Sequence, residues 1–221
     1  MAQAASTPTN LRASDRLRAD ILAGAFGFGA RLKIEDLARR YATSHMPIRE
    51  ALRSLHGEGL VVIEPNRGAR VRGVDLDFVR NMFDLRAAIE AMLTRRAAER
   101  MGPAGLVRLE EIEAGLEDCA ARGDVAGVLA ANREFHSLIY AAAGNPEAVE
   151  IASRHWGLVA ALWGVHGYDA ARLPGVISDH RQILAAIAAR DAESAHAIAA
   201  AHAAKAKQDL LRKMIAAGAA T

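Results

Sequence analysis

Three histidines and an asparagine fall where helical periodicity turns polar side chains inward. Asn132 and His136 are four residues apart, which on a helix puts them on one face, and Phe135 and Ile139 mark that face as inward. His180 follows Asp179 and precedes Ile183, Leu184 and Ile187 on one apolar stripe, while His202 lies four residues after Ile198. Polar side chains that point into a helical bundle need partners, because burial without them is costly. Three imidazoles and one amide oxygen, drawn from three helices, suit a first-row divalent ion such as Zn²⁺, Ni²⁺ or Mn²⁺. Four protein ligands leave a six-coordinate ion open positions for water or a carboxylate. Taken singly, any one of the 8 histidines is more often a hydrogen-bonded core residue than a ligand, so spacing alone leaves both readings open.

A second constellation is basic. Arg49 and Arg53 are one helical turn apart, away from the apolar positions Ile48, Ala51, Leu52 and Leu55, and Arg67, Arg70 and Arg72 follow around a Glu64 to Gly68 turn. The formal net charge of +2 conceals an asymmetry: residues 1–73 hold 12 Lys and Arg against 7 Asp and Glu, a net +5, and the remainder is −3. An anionic partner is therefore expected at the first third only. Arg86 precedes Glu90 by four residues, which fits either a surface ion pair or an arginine fork that grips a ligand carboxylate.

The elements that position these groups follow from composition and periodicity. The 221 residues allow one large domain or two modest ones, at roughly 150 residues per domain. Hydrophobic residues at 52% and charged residues at 24% exclude an intrinsically disordered chain, and runs of alanine with only 5% aromatics favour helices. Charges interrupt every apolar run, so no membrane span is expected. Met1–Asn10 has no basic start followed by an apolar core, which argues against a signal peptide and for a cytoplasmic protein. The single cysteine, Cys119, has no redox role assigned to it.

In the first third, helices are expected over 11–22, ended by Gly24, over 34–41, and from an N-capping Ser44 with Pro47 in the first turn until Gly57 and Gly59 break it. Strands over 60–63 and 69–72 flank a turn that includes Asn66. Three short helices and a hairpin have the order of a winged helix-turn-helix, whose third helix enters the DNA major groove. After Gly73-Val74-Asp75, helices fit 77–101, 104–122, 124–143, 146–166, 176–189 and 192–216, an antiparallel bundle. Two domains are expected, 1–73 and 74–221, and the fold class is mainly α. Trp156, Trp163, His155 and His166 are candidates for the cavity or a dimer face, with core packing expected for both tryptophans.

Two stretches resemble a known family. Ser44-His45-Met46-Pro47-Ile48-Arg49-Glu50-Ala51-Leu52, Glu58-Gly59-Leu60-Val61 and Asn66-Arg67-Gly68-Ala69-Arg70-Val71 resemble the DNA-binding domain of GntR-type bacterial transcription regulators. The resemblance implies that Ser44, His45, Arg49, Arg53, Arg67, Gly68 and Arg70 face DNA, with Gly68 letting the wing backbone approach the minor groove. His45 stands where the family usually has Arg. Asp124 to Pro146, Asp179 to Ile187, Arg190 to Ala195, and His202 are similar to the FCD effector domain of the FadR branch. That likeness implies an all-helical domain in which Asn132, His136, His180 and His202 hold a divalent metal, Asn132 replacing the usual Asp and bringing no negative charge. Arg86 also matches a recurrent position.

The resulting expectation is a homodimeric transcription regulator, in most cases of this kind a repressor, that binds a palindromic double-stranded operator and responds to a small carboxylate-bearing effector. Two other readings stay in view. One is a metal-dependent hydrolase, against which Glu134 points off the Asn132–His136 face and no other general base is placed. The other is a DNA-binding protein whose bundle only dimerises.

Overall fold

A computed structural model of the chain describes residues 9–65 and 67–218, so most of Met1–Asn10 and the turn residue Asn66 lie outside the described residues. By contacts between residues, the chain divides into one unit of residues 1–74 with 157–165 and a second of 75–156 with 166–221.

The first unit carries α1 (Thr9–Leu22), β1 (Arg31–Leu32), α2 (Ile34–Tyr41), α3 (His45–Gly57), β2 (Val61–Glu64) and β3 (Gly68–Val71). Its apolar positions meet as the 3.6-residue period requires: Leu17 and Ile21 of α1, Leu37 of α2, and Ile48, Leu52 and Leu55 of α3 are all buried. The sheet is antiparallel in the order β1-β3-β2, with Val61 opposite Val71 and Glu64 opposite Gly68. The two-residue β1, which pairs Arg31 with Arg70 and Leu32 with Ala69, is too short to have shown a period in the sequence. Ser44 does stand at the N-cap of α3, but its side chain makes no capping hydrogen bond. Ala42, in the turn between α2 and α3, adopts left-handed backbone with φ +51°.

The second unit is helical: α4 (Leu76–Arg100), α5 (Pro103–Ala121), α6 (Val125–Ala142), α7 (Pro146–Arg154), a 3₁₀ turn at Ala170–Arg172, α9 (Leu173–Ala188) and α10 (Ala192–Ala216). Carboxylate and amide caps set the starts. Asp75, Asp124, Asn145 and Asp191 each accept from a backbone N–H three residues on and so satisfy one of the donors that a helix start leaves without an intrahelical partner. Helix α4 packs on α10, α5 on α6 and α9, and α9 on α10. Leu93, Leu109, Phe135, Ile139, Tyr140, Ile183 and Ile187 form the core between them.

The helix expected over 146–166 is two helices, α7 and α8 (Trp156–His166), separated at His155. Trp156 is buried in the core of the second unit, whereas residues 157–165 cluster with the first. Within that first unit Gly157 is close enough to Leu60 that an added Cβ would approach its Cδ1 to 3.2 Å, and Leu158, Ala161 and Leu162 are fully buried. His155 keeps right-handed backbone at the break, with φ −95° and ψ −1°, and periodicity does not report which core an apolar residue joins. Among the described residues no helix is long and apolar enough to cross a membrane.

Candidate nucleic-acid interface and metal centre

On α3 the buried face is Ile48, Ala51, Leu52 and Leu55, and the opposite face presents His45, Met46, Arg49 and Arg53, all exposed. The side chains predicted to meet DNA differ in what already holds them. Arg53 is ion-paired with Glu50 at 2.7 Å. Arg70, half-buried, is ion-paired with Glu64 at 3.4 Å and donates to the Gly29 carbonyl. Arg49 and Arg67 are exposed and their guanidinium groups have no acidic partner among the described residues, so both are free to bind phosphate or a base edge. Arg31, Lys33, His45, Arg49 and Arg53 border one cleft of about 570 Å³ that runs from α3 to Gly68 of β3. Sequence reasoning missed Arg31, whose strand is only two residues long, and Lys33, which stands at the N-cap of α2. Gly68 has φ +87° and nothing within 4 Å of where a Cβ would stand, so the open wing tip needs glycine for its backbone angle.

In the second unit, His136 of α6, His180 of α9 and His202 of α10 converge. One ligand nitrogen from each lies within 4.8 Å of the others, and all three residues are buried. Their rings pack at centroid distances of 5.0 to 5.4 Å, with Phe135 stacked on His180 at 4.2 Å. Burial in this apolar setting, followed by the neighbouring imidazoles, holds the His136 pKa well below its ordinary value, and burial brings that of His180 down to about 3. Burial also lowers that of His202, against an opposing hydrogen bond that it donates to Asp179. Neutral imidazoles are the form that ligates a cation.

Two carboxylates behind the rings escaped the sequence reading. Glu113 of α5 lies 2.7 Å from His180 Nδ1, and Asp179 lies 3.2 Å from His202 Nδ1. Glu113 is 67 residues away from His180 in the chain, so no local pattern could have paired them. Burial pushes the Glu113 carboxyl up to about 8, and a cation on the His180 ring would favour its ionised form. For Asp179 burial acts in the same direction, yet hydrogen bonds from His202 and Lys205 outweigh it and leave the carboxyl below its ordinary value. With Nδ1 occupied, each of these rings presents Nε2 to the cluster, and His180 Nε2 is buried with no hydrogen-bond partner among the described residues. A carboxylate behind an imidazole is how proteins orient histidine ligands. The donor set therefore fits a divalent cation. Asn132 is half-buried one turn before His136 on α6.

Arg86 and Glu90 form neither an exposed surface pair nor an uncommitted fork. They pair at 2.5 Å inside the bundle, each with only 6% of its side chain exposed. The Arg86 guanidinium lies 4.4 Å from the Trp156 ring centroid, Trp156 packs 5.7 Å from His136, and Arg86 Nη1 has no hydrogen-bond partner among the described residues. Trp163 is buried, His155 half-buried at the break between α7 and α8, and His166 half-buried with its pKa lowered by desolvation. Cys119 is a free, half-buried thiol. Glu134 is exposed and ion-paired with Arg108, away from the imidazoles. A cleft of about 620 Å³ between the 3₁₀ turn, α9 and α10 reaches Asp179 and His202 and is flanked by Arg172, Lys205 and Arg212.

A winged helix-turn-helix together with a helical domain that encloses a histidine cluster defines a DNA-binding transcription regulator. The model of the bacterial regulatory proteins of the gntR family matches residues 9–71 and that of the FCD domain matches residues 81–205, so the chain belongs to the GntR family, with an FCD domain in its second part. It is 27% identical over 187 residues to the HTH-type transcriptional regulator McbR of Escherichia coli K12, covering 83% of this chain and 84% of that protein. It is 31% identical over 158 residues to the HTH-type transcriptional repressor GlaR of the same strain, covering 70% and 72% respectively. The fold matches the solved structure of E. coli McbR/YncC with a TM-score of 0.77 at 24% identity, over 93% of this chain and 98% of that one. It matches that of Lar from Listeria monocytogenes with a TM-score of 0.68 at 20% identity, over 93% and 98%. These relatives are transcription regulators, which sets aside the hydrolase reading.

Proposed function

We propose that this regulator senses a small organic acid through a divalent metal held in its FCD domain and that it acts as a homodimeric repressor on a palindromic operator. The observation that carries the proposal is the convergence of His136, His180 and His202, two of them backed by carboxylates, with His180 Nε2 buried and unpartnered. The three imidazoles would hold the ion, with Asn132 able to add an uncharged amide oxygen. When bound, the ion supplies positive charge and open coordination positions that favour a carboxylate. Glu113 and Asp179 keep the rings of His180 and His202 in orientation. Arg86 is already neutralised by Glu90, so its contribution is a directed hydrogen bond from Nη1 rather than a free charge. The cleft that reaches Asp179 and His202 gives an acid its way in.

The ligand acts on DNA binding only as far as it favours one arrangement of the two recognition helices over another. The repressor sense is the one named for GlaR. The test is metal content, followed by release from DNA. The purified protein should retain one equivalent of Zn, Ni or Mn by elemental analysis, and His136→Ala and His180→Ala should retain none. A panel of organic, sugar and amino acids, added with and without the ion, should contain a member that raises the melting temperature of the wild type and releases it from operator DNA. Full metal content in both variants would overturn the site, and an empty wild type with no ligand-dependent stabilisation would favour a bundle that only dimerises.

A further inference from the structure

Met46 is the most exposed large hydrophobic side chain among the described residues, with 65% of its surface open, in the first turn of α3. It precedes Leu55 by nine positions, two and a half turns of a 3.6-residue helix, and so stands diametrically opposite that fully buried leucine. It is therefore the outward pole of the helix, flanked by His45, Arg49 and Arg53. Met46 contributes nothing to the core of its own unit, and an apolar side chain at the outward pole of a groove-reading helix has few things to meet. The residues near the N-terminus of such a helix are the ones that touch base edges. The only apolar feature on a base edge of the major groove is the C5-methyl group of thymine. A long, unbranched thioether adapts its shape to such a contact.

We infer that Met46 reads a thymine methyl group in each half-site and is a specificity-determining residue for this operator, with Arg49 providing the polar contact beside it. The inference rests on α3 being the reading helix, and the test separates the two. Duplexes bound by the full-length protein are enriched from a random pool, in parallel for wild type, Met46→Ala, Met46→Leu and Arg49→Ala. The wild-type pool should fix thymine at one position per half-site that becomes degenerate for Met46→Ala and returns for Met46→Leu, with the other positions retained. Replacing that thymine by uracil, which lacks only the methyl group, should weaken wild-type binding about fourfold, the worth of one buried methyl group, and leave Met46→Ala unaffected. A Met46→Ala pool identical to the wild-type pool, beside an altered Arg49→Ala pool, would overturn the role of Met46 alone. Pools unchanged by any of the substitutions would overturn the assignment of α3 as well. Truncating a side chain this exposed spares the fold, and the circular-dichroism spectrum and melting temperature of each variant verify that.

Discussion

Among the described residues Arg49 and Arg67 have no carboxylate to release before they bind DNA, and this separates them from Arg53 and Arg70, which are engaged with Glu50 and Glu64. Arg49→Ala should weaken operator binding tenfold or more, within the roughly 1–3 kcal/mol of a base contact, and should relax sequence preference. Arg67→Ala should instead weaken binding to all sequences alike. Fluorescence anisotropy on operator and scrambled duplexes distinguishes the two. At the proposed metal centre, Glu113 would act through His180 and is not one of the three clustered side chains. Glu113→Gln keeps the volume but loses the carboxylate, and should cost about 10- to 100-fold in metal affinity, measured by competition with a chelator, without emptying the site as His180→Ala does. The histidines and arginines were legible as types at a spacing. Their partners were not, because Glu113 and Glu90 differ only in which residue the packed chain sets beside them.

Among the elements, the helix starts of the second unit were the most legible, since capping is a local interaction over three residues. Asn145 followed by Pro146 is one of them: the amide oxygen accepts from Ala148 N at 3.2 Å and proline fills the first helical position. Asn145→Ala should cost about 1 kcal/mol and Asn145→Gly only a few tenths, read from urea denaturation midpoints. Ser44 holds the corresponding position on α3 without the hydrogen bond, which a sequence pattern cannot foresee because the same residue type caps or does not according to its rotamer. The break at His155 was equally out of reach. No proline or glycine at 155 marks it, and residues 157–165 cluster with the first unit while those before them cluster with the second.

For the whole molecule, the basic first third and slightly acidic remainder predict DNA binding that falls steeply with salt, because arginine and lysine displace condensed counterions from phosphates. Removing one phosphate contact with Arg67→Ala should reduce the slope of log affinity against log salt by about 1. Metal is expected to stabilise the native state by mass action, about 2.7 kcal/mol at a free concentration 100 times Kd, in the wild type and not in His180→Ala. A calorimetric scan with and without added Ni²⁺ measures it. The order of elements, the caps, the charge asymmetry and the family motifs were determined by the sequence itself, since each arises from interactions between residues a few positions apart. Only the tertiary structure decided that three histidines meet, that Glu113 and Asp179 stand behind two of them, that Arg86 is neutralised by Glu90, and that the apolar stretch 157–165 belongs with the first unit. Those features depend on which buried groups face one another across tens of residues, where desolvation and packing, rather than periodicity, select the partner.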